Sequence, residues 1–164
     1  MVERFTPGDA RRVAELLRPI VEGMMDAGIV HRQAFYILFA VRAPTDPWYK
    51  QIYATTYGKQ PESEWDYPFD QIAHGKGRIT GRTGLPSRIV QLTKPHLLLP
   101  DDVRFWGSWI EDNIIVASSG VKPWYDEAIC KMACGLVLAR IEQDRFALDE
   151  AAEAVDSIYY DARR

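Results

Sequence analysis

The sequence predicts a single domain of the α/β class, in which an antiparallel sheet is flanked by helices. Apolar residues recur at helical spacing over residues 7–27 and again over 123–143. Residues 34–41 form a short apolar run of the kind that becomes a buried strand. Residues 104–118 contain two more β-prone runs, with only two residues between them. We therefore expect both long helices to pack on a sheet that contains these three strands.

The composition is that of an ordinary globular protein. The chain has 164 residues, of which 47% are hydrophobic and 26% are charged, enough for one domain with a substantial core. A net charge of −3 gives no basic footprint for nucleic acid. No apolar stretch approaches the roughly 20 residues needed to span a bilayer. The first residues, MVERFTPGD, also lack the apolar segment of a signal peptide. We expect a cytoplasmic protein with no nucleic-acid or membrane partner.

Local signals place the elements of the N-terminal half. The run Thr6–Asp9 marks a helix start, with a Thr N-cap, a proline at the first helical position and an acidic residue in the first turn. Pro19 is expected to kink this helix and Gly28 to end it. Residues 48–57 are expected to form a second strand, and the polar residues 60–68 a loop.

A helix over residues 69–83 is predicted from its apolar spacing despite three internal glycines. Gly75, Gly77 and Gly81 each cost about 1 kcal/mol relative to alanine in a helix interior. A helix that carries this cost is expected to pack tightly against a neighbouring backbone or a ligand. Residues 85–100 then suggest a short helix or an irregular crossing.

The strands 104–111 and 114–118 are predicted to form an antiparallel hairpin, because Asp112-Asn113 leaves room for a two-residue loop. The second strand is apolar throughout, which is typical of a buried central strand. The turn Ser118–Gly120 then leads to the start of the last long helix. A helix N-terminus reached in this way suits an anionic ligand, although the same geometry also occurs as a plain connection.

The helix over 123–143 is expected to bury its apolar face, and a final short helix is expected over 149–159. Cys130 and Cys134 lie four residues apart, which matches neither a redox pair nor a zinc site, so we interpret them as buried apolar side chains. The residues expected to face inward are Ile129, Met132, Ala133, Leu136, Val137 and Ile141.

The densest polar cluster lies on the predicted helix 69–83 and consists of His74, Lys76, Arg78 and Arg82. At helical spacing, His74 and Arg78 share a face, as do Arg78 and Arg82. Such a cationic stripe suits carboxylates, for example haem propionates or a small organic acid. The alternative is a solvated face whose charges have acidic neighbours. His74 is either an axial metal ligand or, as is commoner for a lone histidine, a hydrogen-bonded structural residue.

Asp126 and Glu127 fall in the first turn of a predicted helix, where the helix dipole alone explains both. The sequence contains no nucleophile elbow, phosphate loop, dinucleotide fingerprint or two-histidine metal spacing. Catalysis by a known side-chain arrangement is therefore not indicated.

Four segments in order resemble the GlcG-like or HbpS-like family, also called the haem-degrading domain family. They are the N-terminal helix, the strand 34–41, FDQIAHGKGRITGRTG at 69–84 and SSGVKPWYDEAI at 118–129. The resemblance implies a profilin-like α/β sandwich that assembles as a homo-oligomer, with haem as a possible cofactor. The positions that match the family motifs are Ala73, Lys76, Ser119, Gly120, Asp126 and Glu127.

Two functions follow from these observations. The first is a binding module for haem, a corrinoid or a small organic acid, with its pocket between the helix 69–84 and the turn after the hairpin. The ligand-binding residues would be His74, Lys76, Arg78, Arg82, Ser118, Ser119 and Gly120. The second is a structural or accessory homo-oligomer whose tryptophans bury a subunit interface, since aromatic residues are enriched at interfaces. These tryptophans are Trp48, Trp65, Trp106, Trp109 and Trp124.

Overall fold

The computed structural model describes residues 4–150 and shows an α/β fold with an open antiparallel sheet flanked by helices. Two short 3-10 helices, Glu62–Glu64 and Pro95–Leu97, lie in the connections. The main elements, in chain order, are α1 (Pro7–Asp26), β1 (Phe35–Arg42), β2 (Tyr49–Tyr57), α2 (Phe69–Thr83), α3 (Ser87–Thr93), β3 (Ser108–Glu111), β4 (Ile114–Ser119) and α4 (Pro123–Glu150). The fold class predicted from the sequence is confirmed.

The four strands have the order β2-β1-β4-β3, and each neighbouring pair is antiparallel. The predicted hairpin is confirmed, because Asp112 and Asn113 have φ angles of 49° and 65° and form its loop. Positive φ at both positions matches the twist of a two-residue hairpin. The prediction that β3 begins at residue 104 is wrong. Gly107 has a φ of 138°, which turns the chain, and regular pairing starts at Ser108.

Both faces of the central strands are covered by helices, which explains why their sequences are apolar at nearly every position. Alternate residues of β1 therefore belong to different cores. Phe35, Ile37 and Phe39 pack in the core that includes α1 and α4. Leu38 and Ala40 form a second, smaller cluster with residues of β4, on the face that contacts α2. Each fully buried aliphatic or aromatic side chain stabilises such a core by about 1.5–3 kcal/mol.

The ends of α1 follow the local signals in the sequence. The Thr6 side chain accepts a hydrogen bond from the Asp9 backbone, and Asp9 bonds back to Thr6, so the two form a capping box. The helix continues through Pro19. It ends where Gly28 adopts a φ of 73° and donates its N–H to the carbonyl of Met25. Gly28 thus ends the helix as predicted.

The last helix is longer than predicted and buries a slightly different face. α4 runs without a break from Pro123 to Glu150, while residues 151–159 of the predicted final helix lie outside the described residues. Met132 is 40% exposed, so its predicted burial is wrong. Cys130 and Cys134 are fully buried instead, and both are free thiols, as their sequence interpretation predicted.

Two glycines of α2 allow close approach of other parts of the chain. A Cβ atom added at Gly75 would collide with the Val103 side chain, and one at Gly81 would collide with the backbone carbonyl of Trp48. The close packing predicted for this helix is therefore confirmed, and at both positions the neighbour is protein.

We expect Gly81→Ala to lower the free energy of unfolding by about 1–3 kcal/mol, because its methyl group would press on a backbone carbonyl that cannot rotate away. Urea denaturation measures the change. Gly135→Ala in α4 is the control, since no described atom other than the adjoining residues and backbone of its own helix lies within 4 Å of the added carbon. This variant should be neutral or stabilising by up to about 1 kcal/mol. Equal effects at the two positions would contradict the close packing of α2.

Candidate functional site

A cleft of about 270 Å³ opens between α2 and the turn that joins β4 to α4. Its walls combine aromatic rings, cationic side chains and the backbone of the turn. The residues that line it are Arg32, Tyr67, Phe69, Ile72, Lys76, Phe105, Ser119, Gly120, Val121, Lys122, Pro123 and Asp126. The cleft lies between the two segments where the sequence predicted a pocket.

A buried ion pair between Lys76 and Asp126 forms the inner end of the cleft. Lys76 Nζ lies 3.0 Å from Asp126 Oδ2 and donates a second hydrogen bond, of 2.7 Å, to the carbonyl oxygen of Ser118. The two charged side chains are 1% and 3% exposed. A Cβ atom at Gly107 would collide with both side chains, so a glycine there gives the pair its space.

Burial raises the pKa of Asp126 to about 6, and the Lys76 ammonium partly offsets this by stabilising the ionised form. The carboxyl group is therefore ionised above that pH and neutral below it. This places the titration of a side chain at the base of the cleft close to the physiological range.

The second carboxylate oxygen of Asp126 is unusual. Oδ1 is buried and has no partner of good hydrogen-bond geometry among the described residues, and the Val121 backbone N–H makes only a weaker hydrogen-bonding contact with the carboxyl group, which lowers its pKa. Buried polar atoms in folded proteins nearly always have a partner. An unpaired carboxylate oxygen in the wall of a cleft can accept a hydrogen bond from a bound molecule.

The mouth of the cleft is cationic and aromatic. Lys122 is exposed, and Arg32 is half-buried with its guanidinium 4.9 Å from the ring centre of Tyr67 and 5.4 Å from that of Phe69. The exposed ring of Phe105 also lines the cleft. Arg32 also lies 3.6 Å from Asp66, in a solvent-exposed pair that contributes little energy. The cleft is thus positively charged at its mouth, and its inner end holds the buried ion pair of Lys76 and Asp126.

The structure brings together only part of the predicted ligand-binding set. Lys76, Ser119 and Gly120 line the cleft. Ser118 is buried behind it, and its side chain donates to the Asp126 carbonyl oxygen and contacts the Cys130 thiol. The three remaining residues of the set, His74, Arg78 and Arg82, do not line the cleft.

His74 has the structural environment of a hydrogen-bonded residue. Its Nε2 lies 3.0 Å from the Tyr36 hydroxyl and its Nδ1 lies 2.5 Å from the Tyr49 hydroxyl, so both ring nitrogens have partners. Burial lowers the pKa of this imidazole, with an opposing effect from Asp70. Within residues 4–150, no group of three or more His, Cys, Asp or Glu side chains is placed to hold a metal ion.

The two arginines are paired with acidic residues from distant loops. Arg78 lies 2.9 Å from Asp46 and 3.5 Å from Asp101. Arg82 makes two contacts, of 2.5 and 3.2 Å, with the buried carboxylate of Asp102. This arrangement favours the alternative in which the basic stripe is a face with acidic neighbours.

Several lining residues could not be identified from the sequence. Arg32, Tyr67 and Phe105 come from three separate loops and belong to no motif, so sequence spacing does not connect them with α2. For Lys122, the only sequence signal is its position close after the predicted turn Ser118–Gly120. Asp126 was placed only by the family resemblance and by its position in a first helical turn.

Comparison of the chain with models of known protein families gave no match, and neither did comparison with curated protein sequences. In the part of the chain that the structure describes, no helix has the length and apolar character needed to cross a membrane.

We expect Lys76→Met to destabilise the protein by about 3 kcal/mol at about pH 7.5, because it leaves the Asp126 charge buried without its partner. Lys76 lowers the pKa of Asp126, so its loss raises that pKa further. Asp126 is already neutral well below pH 6, and the cost of the substitution should fall by more than half at about pH 5.

The double variant Lys76→Met/Asp126→Leu is the control, because it removes both charges and should recover most of the lost free energy. Urea denaturation of the wild type, Lys76→Met, Asp126→Leu and the double variant, at both pH values, measures the free energies of unfolding. Simple additivity of the two single substitutions would contradict the coupling.

Proposed function

We propose that this chain is a small-molecule binding module whose site is the cleft between α2 and the β4–α4 turn, and that its ligand is a small organic acid. The observation that carries the proposal is the composition of the cleft wall. Two cations stand at the mouth, aromatic rings form the sides, and an acid–base pair with an unpaired oxygen lies at the base. A few convergent polar groups in an apolar cleft are typical of ligand sites.

The size of the cleft supports the small acid over haem or a corrinoid, the other ligands that the family resemblance implies. A volume of about 270 Å³ is below the range of about 300–1,000 Å³ that is typical for drug-sized ligands. Haem or a corrinoid would need the mouth to widen or would remain largely outside the cleft.

The resemblance to the GlcG-like or HbpS-like family is part of the same proposal. Its two motif segments lie far apart in sequence, and they are in contact in the fold through Lys76, Asp126 and the carbonyl oxygen of Ser118. This contact supports a shared role for the two motifs at one site. We also propose a cytoplasmic location, on the sequence features alone.

We expect Arg32→Gln and Lys122→Gln each to weaken the binding of phenylacetate about threefold to tenfold, because each removes a cation from the mouth. An NMR titration at millimolar phenylacetate should shift the backbone resonances of Ser119, Gly120 and Val121. Arg78→Gln is the matched control and should leave the affinity unchanged, since Arg78 is outside the cleft and paired with Asp46.

The opposite pattern, in which Arg78→Gln weakens binding and Lys122→Gln does not, would move the site to the basic face of α2. If neither phenylacetate nor benzoate shifts any resonance of the turn at millimolar concentration, the binding proposal is wrong.

The alternative function, a structural or accessory homo-oligomer, is favoured by one specific observation. Leu92, Phe105 and Trp124 are 57%, 56% and 58% exposed. They lie on α3, on the segment before β3 and at the start of α4, and these elements are neighbours in the fold because Gln91 bonds to the Phe105 carbonyl and Arg88 pairs with Glu127. Exposed apolar side chains on adjoining elements suit contact with a second copy. The other four tryptophans are partly buried within the chain.

We expect the wild-type protein to sediment as an oligomer at micromolar concentration and Trp124→Glu to shift it toward monomer, because a charge would then be buried at the contact. Sedimentation velocity measures the change. Leu16→Glu is the control, since Leu16 is 61% exposed on α1 and should leave the oligomer intact. A wild-type monomer at this concentration would rule out the alternative, whereas a stable oligomer that binds neither acid would favour it.

A further inference from the structure

We infer that the ligand of the cleft carries a hydrogen-bond donor, a hydroxyl or N–H group, at the end opposite its acid, and that this donor binds Asp126 Oδ1. The inference rests on the proposed function and names the chemical class of its ligand. It selects hydroxy- or amino-substituted acids over plain carboxylic acids of the same shape.

The two oxygens of Asp126 have different environments. Oδ2 is held by Lys76 at 3.0 Å, whereas Oδ1 is buried without a hydrogen-bond partner among the described residues. An ionised carboxylate can only accept hydrogen bonds. A buried acceptor without a donor is costly, so a ligand that supplies the donor gains the corresponding free energy on binding.

The neighbouring side-chain donors are engaged elsewhere, and the Val121 backbone N–H, which interacts with this carboxyl group and lowers its pKa, does not reach hydrogen-bond geometry at Oδ1. Lys76 also donates to the carbonyl oxygen of Ser118, and the hydroxyl of Ser118 donates to the main-chain carbonyl oxygen of Asp126 rather than to its side chain. The cleft wall also includes the apolar side chains of Phe69 and Ile72, which have no hydrogen-bond donor. The bound molecule is therefore the natural source of the missing hydrogen bond.

The direction of the ligand follows from the burial of the charged groups. Lys122 is exposed and Arg32 is half-buried, whereas Asp126 is 3% exposed. The acid of the ligand pairs with the cations at the mouth, and the opposite end reaches Asp126. Aromatic side chains in the cleft wall favour a flat apolar body. A para-substituted aryl acid combines all three properties.

The test compares matched aryl acids by titration calorimetry with the wild-type protein at neutral pH. We expect para-hydroxyphenylacetate to bind at least about tenfold more tightly than phenylacetate or para-fluorophenylacetate, since a site that is built to accept from a hydroxyl rejects analogues without one. Mandelate, whose hydroxyl lies beside the carboxylate, should show no such gain. Para-aminophenylacetate reports whether the preferred donor is N–H, through tighter binding than the hydroxyl compound.

The variant Asp126→Asn keeps the size of the side chain and an oxygen for Lys76. It should reduce the preference for para-hydroxyphenylacetate over para-fluorophenylacetate to within about threefold. Circular dichroism confirms that the variant is folded, and the comparison within the wild-type protein does not depend on it.

The outcomes separate this inference from the proposed function. Binding of all the aryl acids with no gain from a para-hydroxyl or para-amino group would overturn the inference and leave the cleft as the binding site. A preference that persists unchanged in Asp126→Asn would also overturn it, because the donor would then contact another group. Failure of every acid to bind would overturn the proposed function itself.

Discussion

The buried pair between Lys76 and Asp126 is the interaction on which the candidate site depends. It joins three elements: α2 on one face of the sheet, the end of β4 and the start of α4, which covers the other face. The pair therefore ties the two helical layers together at one end of the central strand. The same two side chains form the base of the cleft, so the contact that fixes the geometry also supplies the polar chemistry of the site.

Burying two charges costs several kcal/mol for each ion before their attraction is counted, and an apolar pair of similar size is often at least as stable. Stability alone does not explain why charged residues occupy this position. The unpaired oxygen of Asp126 and its raised pKa are consistent with a site that exchanges a hydrogen bond with a ligand. The small residue at 107 supports the pair, because any side chain there would displace it.

The basic residues of α2 lie on two faces of the helix, and the two faces have different surroundings. Positions 74, 78 and 82 recur every four residues; His74 is hydrogen-bonded to tyrosines of β1 and β2, and Arg78 and Arg82 are paired with aspartates from loops. Lys76 lies two residues from His74 and Arg78, about half a turn around the helix, and is buried against β4. Residues that are clustered in the sequence therefore occupy two different environments, and of these four side chains only Lys76 lines the cleft.

The sequence by itself determined the elements and the class of the fold. Periodic apolar residues located α1, α2 and α4, and a continuous apolar run located β1. Thr6 and Gly28 located the ends of the first helix, and Asp112-Asn113 located the hairpin, because these signals act over a few neighbouring residues. The sequence also indicated that a pocket would lie between α2 and the turn before α4.

Only the tertiary structure decided which basic side chains of α2 are paired with acids, because Asp46, Asp101 and Asp102 reach Arg78 and Arg82 from loops far away in the chain. It likewise decided that Arg32, Tyr67 and Phe105 line the cleft, since their proximity depends on how the layers pack and not on any local spacing.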